Sequence, residues 1–169
     1  MRIATRLAQP ADKAAIWEIY QAALKPHIQA IWGWDEAWQL AHFDDAYALA
    51  VTCVVAHQQE MSGYIQLDIG DTEVYLRMLV LAPDARSKGI GAALLSEIRR
   101  RVQQSGRQLG LRVFRVNEAA KRFYERERWQ VQSEDEAFFT MAYPQDRSTQ
   151  TKGSPRHLSP QDIEFVLEL

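Results

Sequence analysis

Cysteine is nearly absent: Cys53 is the only one in 169 residues, so a single chain can build no disulfide framework. It lies inside the apolar run Ala48–Ala56 with no histidine at motif spacing, the pattern of a buried, inert thiol rather than a nucleophile. No apolar run approaches the ~20 residues needed to cross a bilayer, and the N-terminus carries no apolar signal segment. The expectation is a soluble, cytoplasmic protein with no membrane partner. Positive charge is not in excess either. A net charge of −2 and a pI near 6.1 argue against broad nucleic-acid binding. His27 and His42 have no metal-ligand spacing with any cysteine or histidine, so no metal centre is expected. Internal repeats are lacking too. The hydrophobic content, 47%, suffices for the core of one domain plus an appendage.

The chain is organised around Val74–Arg101, VYLRMLVLAPDARSKGIGAALLSEIRRR. Strict alternation would set Val74, Leu76, Met78 and Val80 on one face of a strand and Tyr75, Arg77, Leu79 and Leu81 on the other. Both faces are largely apolar, as in a strand buried in mid-sheet. The basic loop Arg86-Ser87-Lys88-Gly89-Ile90-Gly91 follows, then a helix whose apolar face includes Ile90, Ala93, Leu94 and Ile98. Gly106 sits where that helix would stop. Unpartnered N–H groups and about half a positive charge gather at the first turn of a helix. Gly89 and Gly91 let an anion approach that main chain closely, with Arg86 and Lys88 beside it. A P-loop is excluded because Gly91 is followed by Ala92-Ala93, and a dinucleotide fingerprint because Leu94 stands where its third glycine belongs.

Leu79-Val80-Leu81-Ala82-Pro83 followed by Arg86-Ser87-Lys88-Gly89-Ile90-Gly91-Ala92 resembles the acetyl-CoA signature of the GCN5-related N-acetyltransferases (GNAT), whose loop reads Gln/Arg-x-x-Gly-x-Gly/Ala. A second stretch, Asn117-Glu118-Ala119-Ala120-Lys121-Arg122-Phe123-Tyr124-Glu125-Arg126, resembles the Asn-x-x-Ala-x-x-Phe-Tyr-Glu helix of that family; the Gly-Phe that usually follows is Arg128-Trp129 here. The resemblance covers residues 1–144. It implies an α/β fold of the GNAT-like acyl-CoA N-acyltransferase type, a central mixed sheet flanked by helices. It further implies acetyl-CoA as cofactor and an amine acceptor, small molecule or peptide. Leu79, Val80 and Leu81 would hold the pantetheine and acetyl end. Arg86 and Ser87 through Ala92 (Lys88, Gly89, Ile90 and Gly91 between them) would hold the pyrophosphate, and Asn117 would touch the cofactor arm.

The remaining elements follow from pattern. Arg2–Leu7 alternates as an opening strand. Pro10 and Asp12 suit a helix start, Ile16, Ile19, Tyr20, Ala23 and Leu24 give that helix its apolar face, and Pro26 is expected to end it. A second helical stretch is read between His27 and Tyr47, broken near Gly33. Trp32 and Trp34 beside Asp35 or Glu36 either line a pocket for a cationic acceptor or pack the core of two short helices. Leu49–Ala56, Gly63–Ile69 and the Val74 strand read as an antiparallel meander. Leu109, Leu111 and Val113 make a strand parallel to the central one, reached by a right-handed crossover. Asn117 caps the next helix. Val131–Ser133 and Phe138–Tyr143 close the sheet as a hairpin. Gln145–Ser159 lacks aromatics and reads as a polar linker. Ser159-Pro160-Gln161-Asp162 opens a helix-like turn, and the short apolar tail after it docks on its own domain or on a second copy, which leaves a homodimer through the tail open.

Acyl transfer to an amine requires that the amine lose a proton, an oxyanion be stabilised and the departing thiolate be protonated. Tyr124 suits the last: a phenol near 10 and a thiol near ~8.5 differ by about two units. Main-chain donors near Leu79 and Leu81 serve the oxyanion if the strand is irregular there. For the base, the position where some family members carry glutamate is Arg112, and Glu73 or Glu36 is the substitute the sequence offers, water relay being the other route. A non-catalytic acyl-CoA-binding module is the alternative reading.

Overall fold

The computed structural model describes residues 1–144 and 156–169, and in it eight strands form one sheet. The alternation at the N-terminus becomes β1 (Arg2–Leu7). A single 3-10 turn at Pro10–Asp12 leads into α1 (Lys13–Ile31), and Gly33, at φ 80°, separates it from α2 (Glu36–Leu49). The meander follows as β2 (Val51–His57), β3 (Glu60–Ile69) and β4 (Glu73–Leu81). Then come α3 (Ile90–Gln104), β5 (Gln108–Phe114), α4 (Glu118–Arg126), β6 (Gln130–Glu134), β7 (Phe138–Ala142) and, past the linker, β8 (Val166–Glu168). Across the sheet the order is β6-β7-β5-β4-β3-β2-β1-β8, with β4 and β5 the parallel pair. One face packs on α3 and α4 around Leu94, Leu95 and Ile98; the other packs on α1 and α2 around Ile16, Phe43 and Tyr64.

Two expectations are corrected. Pro26 does not end the first helix, which continues to Ile31. Proline removes one backbone bond, and the carbonyl that loses its partner belongs to Ala22, an exposed residue, so water can satisfy it at little cost. The strict alternation of β4 also fails. Gln66 pairs with Met78 but Leu67 with Leu76, so Arg77 is the extra residue of a bulge. Val74 and Leu76 accordingly point into the α3/α4 core, whereas Met78 and Val80 point under α1 and Leu79 and Leu81 take over the α3/α4 side. The turn read at Ser159-Pro160-Gln161-Asp162 forms as a single 3-10 turn, Pro160–Ile163, closed by Asp162 accepting from the Ser159 amide at 2.7 Å.

Beyond that turn the chain becomes extended and β8 pairs antiparallel with β1, Ile3 opposite Leu167. The Thr5 hydroxyl donates to the Ile163 carbonyl at 2.6 Å and accepts from the Phe165 amide at 2.9 Å, while the Ile163 side chain is fully buried. The linker read over 145–159 falls mainly on 145–155, outside the described residues.

Candidate active site

The parallel ladder between β4 and β5 stops early. Glu73 through Leu76 pair with Gln108 through Leu111, and no pairing continues beyond Leu76 and Leu111. Beyond the Arg77 bulge β4 keeps its pairing with β3 to Leu81 but has no partner on its β5 side, so the main-chain groups on that side face an opening. A cavity of about 1250 Å³ occupies that opening. Leu79, Val80, Leu81, Arg86, Asn117 and Tyr124 all line it, so the structure brings these predicted residues together.

From Arg86, whose Nε donates to the Leu81 carbonyl at 2.9 Å, the chain runs into the basic loop. Ser87 and Gly89 take φ of 60° and 77°, which turns successive amides outward. Among the described residues none accepts from the main-chain N–H groups of Ser87 through Ala92, and no side chain caps α3. These donors are available to an anion. The two glycines differ in role. Gly89 is required by its left-handed backbone and has open space where a Cβ would stand. At Gly91 a Cβ would meet the Phe123 ring at 3.4 Å, so this glycine lets α4 close against the head of α3 rather than admitting a ligand. The Ile90 side chain is buried in the core, leaving only its amide for binding.

Asn117 caps α4, its side-chain oxygen accepting from the Ala120 amide at 3.1 Å. Tyr124, two residues from the end of α4, is buried against Phe123 and Trp129 yet borders the cavity. Burial, with the nearby Tyr75 phenol second, pushes its pKa well above the usual 10. The hydroxyl makes no hydrogen bond to a described residue. The departure at Arg128-Trp129 is absorbed locally. Arg128 takes φ 72°, the conformation a glycine would hold, and Trp129, 2% exposed, fills the core beside Tyr124 and Tyr143. Glu73 is exposed at the start of β4, opposite Gln108, and is not brought to the cavity. Cys53 is buried and its thiol is pushed up to about 12, the inert state expected.

The other half of the cavity comes from residues that no motif flagged. His27, Gln39, Gln66, Tyr75, Arg77, Phe114 and Phe138 line it, contributed by α1, α2, β3, β4, β5 and β7. Of the two tryptophans only Trp32 borders it; Trp34 packs on Trp17 with Lys25 over its ring. Asp35 is committed as the α2 cap, accepting from the Trp38 amide at 3.0 Å. His27 stacks on Phe114, and burial lowers its pKa below 6.5. The alternation of β5 did hold the one available signal, placing Gly110, Arg112 and Phe114 on the face away from Leu111.

The sheet splayed at a parallel pair, with an uncapped helix head after a β–loop–α unit, defines a mixed-sheet α/β fold with an anion-accepting helix end. Residues 13–128 match the acetyltransferase (GNAT) family, and the chain belongs to that family. No curated protein matches the sequence. Among solved structures, the PaiA N-acetyltransferase of Thermoplasma acidophilum in complex with coenzyme A aligns at TM-score 0.69 and 21% identity, covering 85% of this chain and 99% of that one. The ribosomal-protein-S18-alanine N-acetyltransferase of Escherichia coli aligns at 0.65 and 18%, covering 92% and 99%. Naa50 of Arabidopsis thaliana in complex with the bisubstrate analogue CoA-Ac-MVNAL aligns at 0.60 and 17%, covering 84% and 98%. At these identities the likeness is one of fold.

Proposed function

We propose that this protein transfers an acetyl group from acetyl-CoA to an amine by direct attack on the thioester. One observation carries the reading: a single cavity runs along the unpaired β4 edge, past Tyr124, to the chain leading into the free amides at the head of α3. Those residues fit the coenzyme. The amides of Ser87 through Ala92, with Lys88 beside them, suit its pyrophosphate, and the β4 edge at Leu79–Leu81 suits the amide-bearing pantetheine. Acetyl-CoA, when bound, supplies the electrophilic thioester. The N–H groups freed by the bulge supply donors where negative charge gathers on the acyl oxygen. Tyr124 keeps its proton at neutral pH because its pKa is raised, and it delivers that proton to the departing sulfur, whose own pKa rises in the same buried cleft. His27 stays unprotonated at neutral pH and takes the amine proton in place of Glu73. The catalytic unit we assign is residues 1–144 of a cytoplasmic protein. The C-terminal strand is a brace on its own β1, a contact that favours docking within the chain over a homodimer through the tail.

Tyr124→Phe separates this enzyme from a non-catalytic acyl-CoA-binding module. The fold should survive, since no described partner loses a bond. Coenzyme affinity by calorimetry should be unchanged, and thiol release should fall about 100-fold. Equal rates in both proteins would remove Tyr124 from the mechanism; no thiol release from the parent with any amine would leave the binding module.

A further inference from the structure

The charges on the cavity wall are unbalanced. Among the described residues its one lining carboxylate is Asp35, whose Oδ1 accepts the Trp38 amide. Of its three arginines, Arg77 pairs with Asp68 at 2.6 Å and Arg86 donates to the Leu81 carbonyl at the coenzyme end. Arg112 differs. Among the described residues it has no carboxylate within ion-pair distance; its Nε donates to the Tyr75 hydroxyl at 3.1 Å. The guanidinium lies 4.4 Å over the Phe138 ring and 5.7 Å from that of Tyr75, which fixes its plane. Asp135 feels this charge but spends its Oδ1 on the Ala137 and Phe138 amides at 2.9 and 2.7 Å. With Nε engaged, the two terminal nitrogens of Arg112 remain as a fork suited to a carboxylate. Beside it Phe114 stacks on Phe138 at 4.7 Å and Trp32 meets Phe114 edge-on at 6.0 Å, a wall for an apolar body.

We infer that the acceptor is an amine carrying a carboxylate a few bonds from its nitrogen and an apolar side chain, held by Arg112 and laid on the Phe114–Phe138 wall. The inference rests on the acetyltransferase reading and narrows its substrate class. A polyamine or other cationic amine meets the guanidinium of Arg112 and, among the described residues, a single lining carboxylate, Asp35, whose Oδ1 is held in the α2 cap, so Arg112 also rejects.

The test compares free L-phenylalanine, L-leucine, L-methionine and L-tryptophan with their amides, and the peptide Asp-Phe-Gly amide with Asn-Phe-Gly amide, measuring thiol release from acetyl-CoA. At least one acid should exceed its neutral partner in kcat/KM by about tenfold or more. The arm in which this occurs tells a free amino acid from an acidic peptide. In Arg112→Gln that ratio should fall close to one through the acceptor KM, with CoA affinity by calorimetry unchanged; Arg112→Lys should restore part of it. Wild-type indifference between acids and amides, or a ratio that survives in Arg112→Gln, overturns the inference while CoA binding stands. Failure of wild-type protein to bind CoA is a different result and removes the acetyltransferase reading itself.

Discussion

The two faces of the sheet are built by different means. Against α3 and α4 the core is dense and mainly aliphatic: Leu76, Leu94, Leu95, Ile98, Val102 and Leu111 are at most 2% exposed. Against α1 and α2 the filling is aromatic, a cluster of Trp17, Tyr20 and Phe43 with rings 5.1 to 5.5 Å apart, and the cavity interrupts it. This second face also buries two polar atoms, Trp34 Nε1 and the Tyr64 hydroxyl, without a partner among the described residues. Such atoms cost about 1–3 kcal/mol each. One face therefore carries stability, and the other gives some of it up for a shaped, polar-edged space. The acceptor site belongs to the face that is less well packed.

A pair of truncations makes the difference measurable. Ile98→Ala removes a fully buried side chain from the aliphatic face and should cost about 3 kcal/mol in denaturant unfolding. Trp38→Ala removes a larger side chain that is 59% exposed and, among the described residues, stacks on no ring but His42. Its cost should stay within about 0.5 kcal/mol, while the acceptor KM rises and the CoA affinity does not. Comparable losses from the two would mean that both faces bear load, and the division would fall.

The same division explains what could be read from the chain. The coenzyme half was legible because it is local and made by backbone: a left-handed Gly89, an uncapped helix head and an Asn117 cap each demand a residue type at a fixed place. The strand order of the meander and the parallel crossover were legible from hydrophobic period and from Gly106 as a break. What the pattern missed was non-local. A one-residue bulge at Arg77 leaves no mark on composition, yet it reverses the faces of half a strand. The acceptor half draws seven residues from six elements, so no spacing along the chain announces Tyr75, Phe114 or Phe138 as neighbours. Pro26 misled because propensity penalises a proline inside a helix, whereas here the lost bond faces water.

A smaller effect tests how the aliphatic face is held to the tail. Glu97 on α3 accepts from Arg100 and, at 2.6 Å, from Arg101, and Arg101 reaches on to the Asp162 carbonyl at 2.8 Å. The hydrogen bond from Arg100 is the main reason the Glu97 carboxyl titrates at about 2 rather than 4.5. A depressed carboxyl favours the folded state above its unfolded pKa, so this contribution is complete above about pH 4.5 and is lost as pH falls toward about 2. Thermal melts should show wild type losing more stability than Glu97→Gln over that window. Parallel curves would mean the arginines find other partners.

A small net gain in stability is expected at Arg128, where two effects of opposite sign compete. A non-glycine residue held at φ 72° costs about 1–2 kcal/mol against the same residue in an ordinary conformation. Glycine relieves that strain but gives the unfolded chain more freedom, which returns about 0.4–1 kcal/mol to the unfolded side. The Arg128 side chain is exposed and forms no ion pair with a described residue, so little else is lost. Relief should win by about 0.5–1 kcal/mol, making Arg128→Gly slightly more stable than the parent, with the rate of thiol release unaltered because Trp129 still seats Tyr124. A destabilised Arg128→Gly would show that the arginine has a partner the strain was keeping in place. An altered rate would show that the hinge after α4 sets the position of the tyrosine as well as the path of the chain.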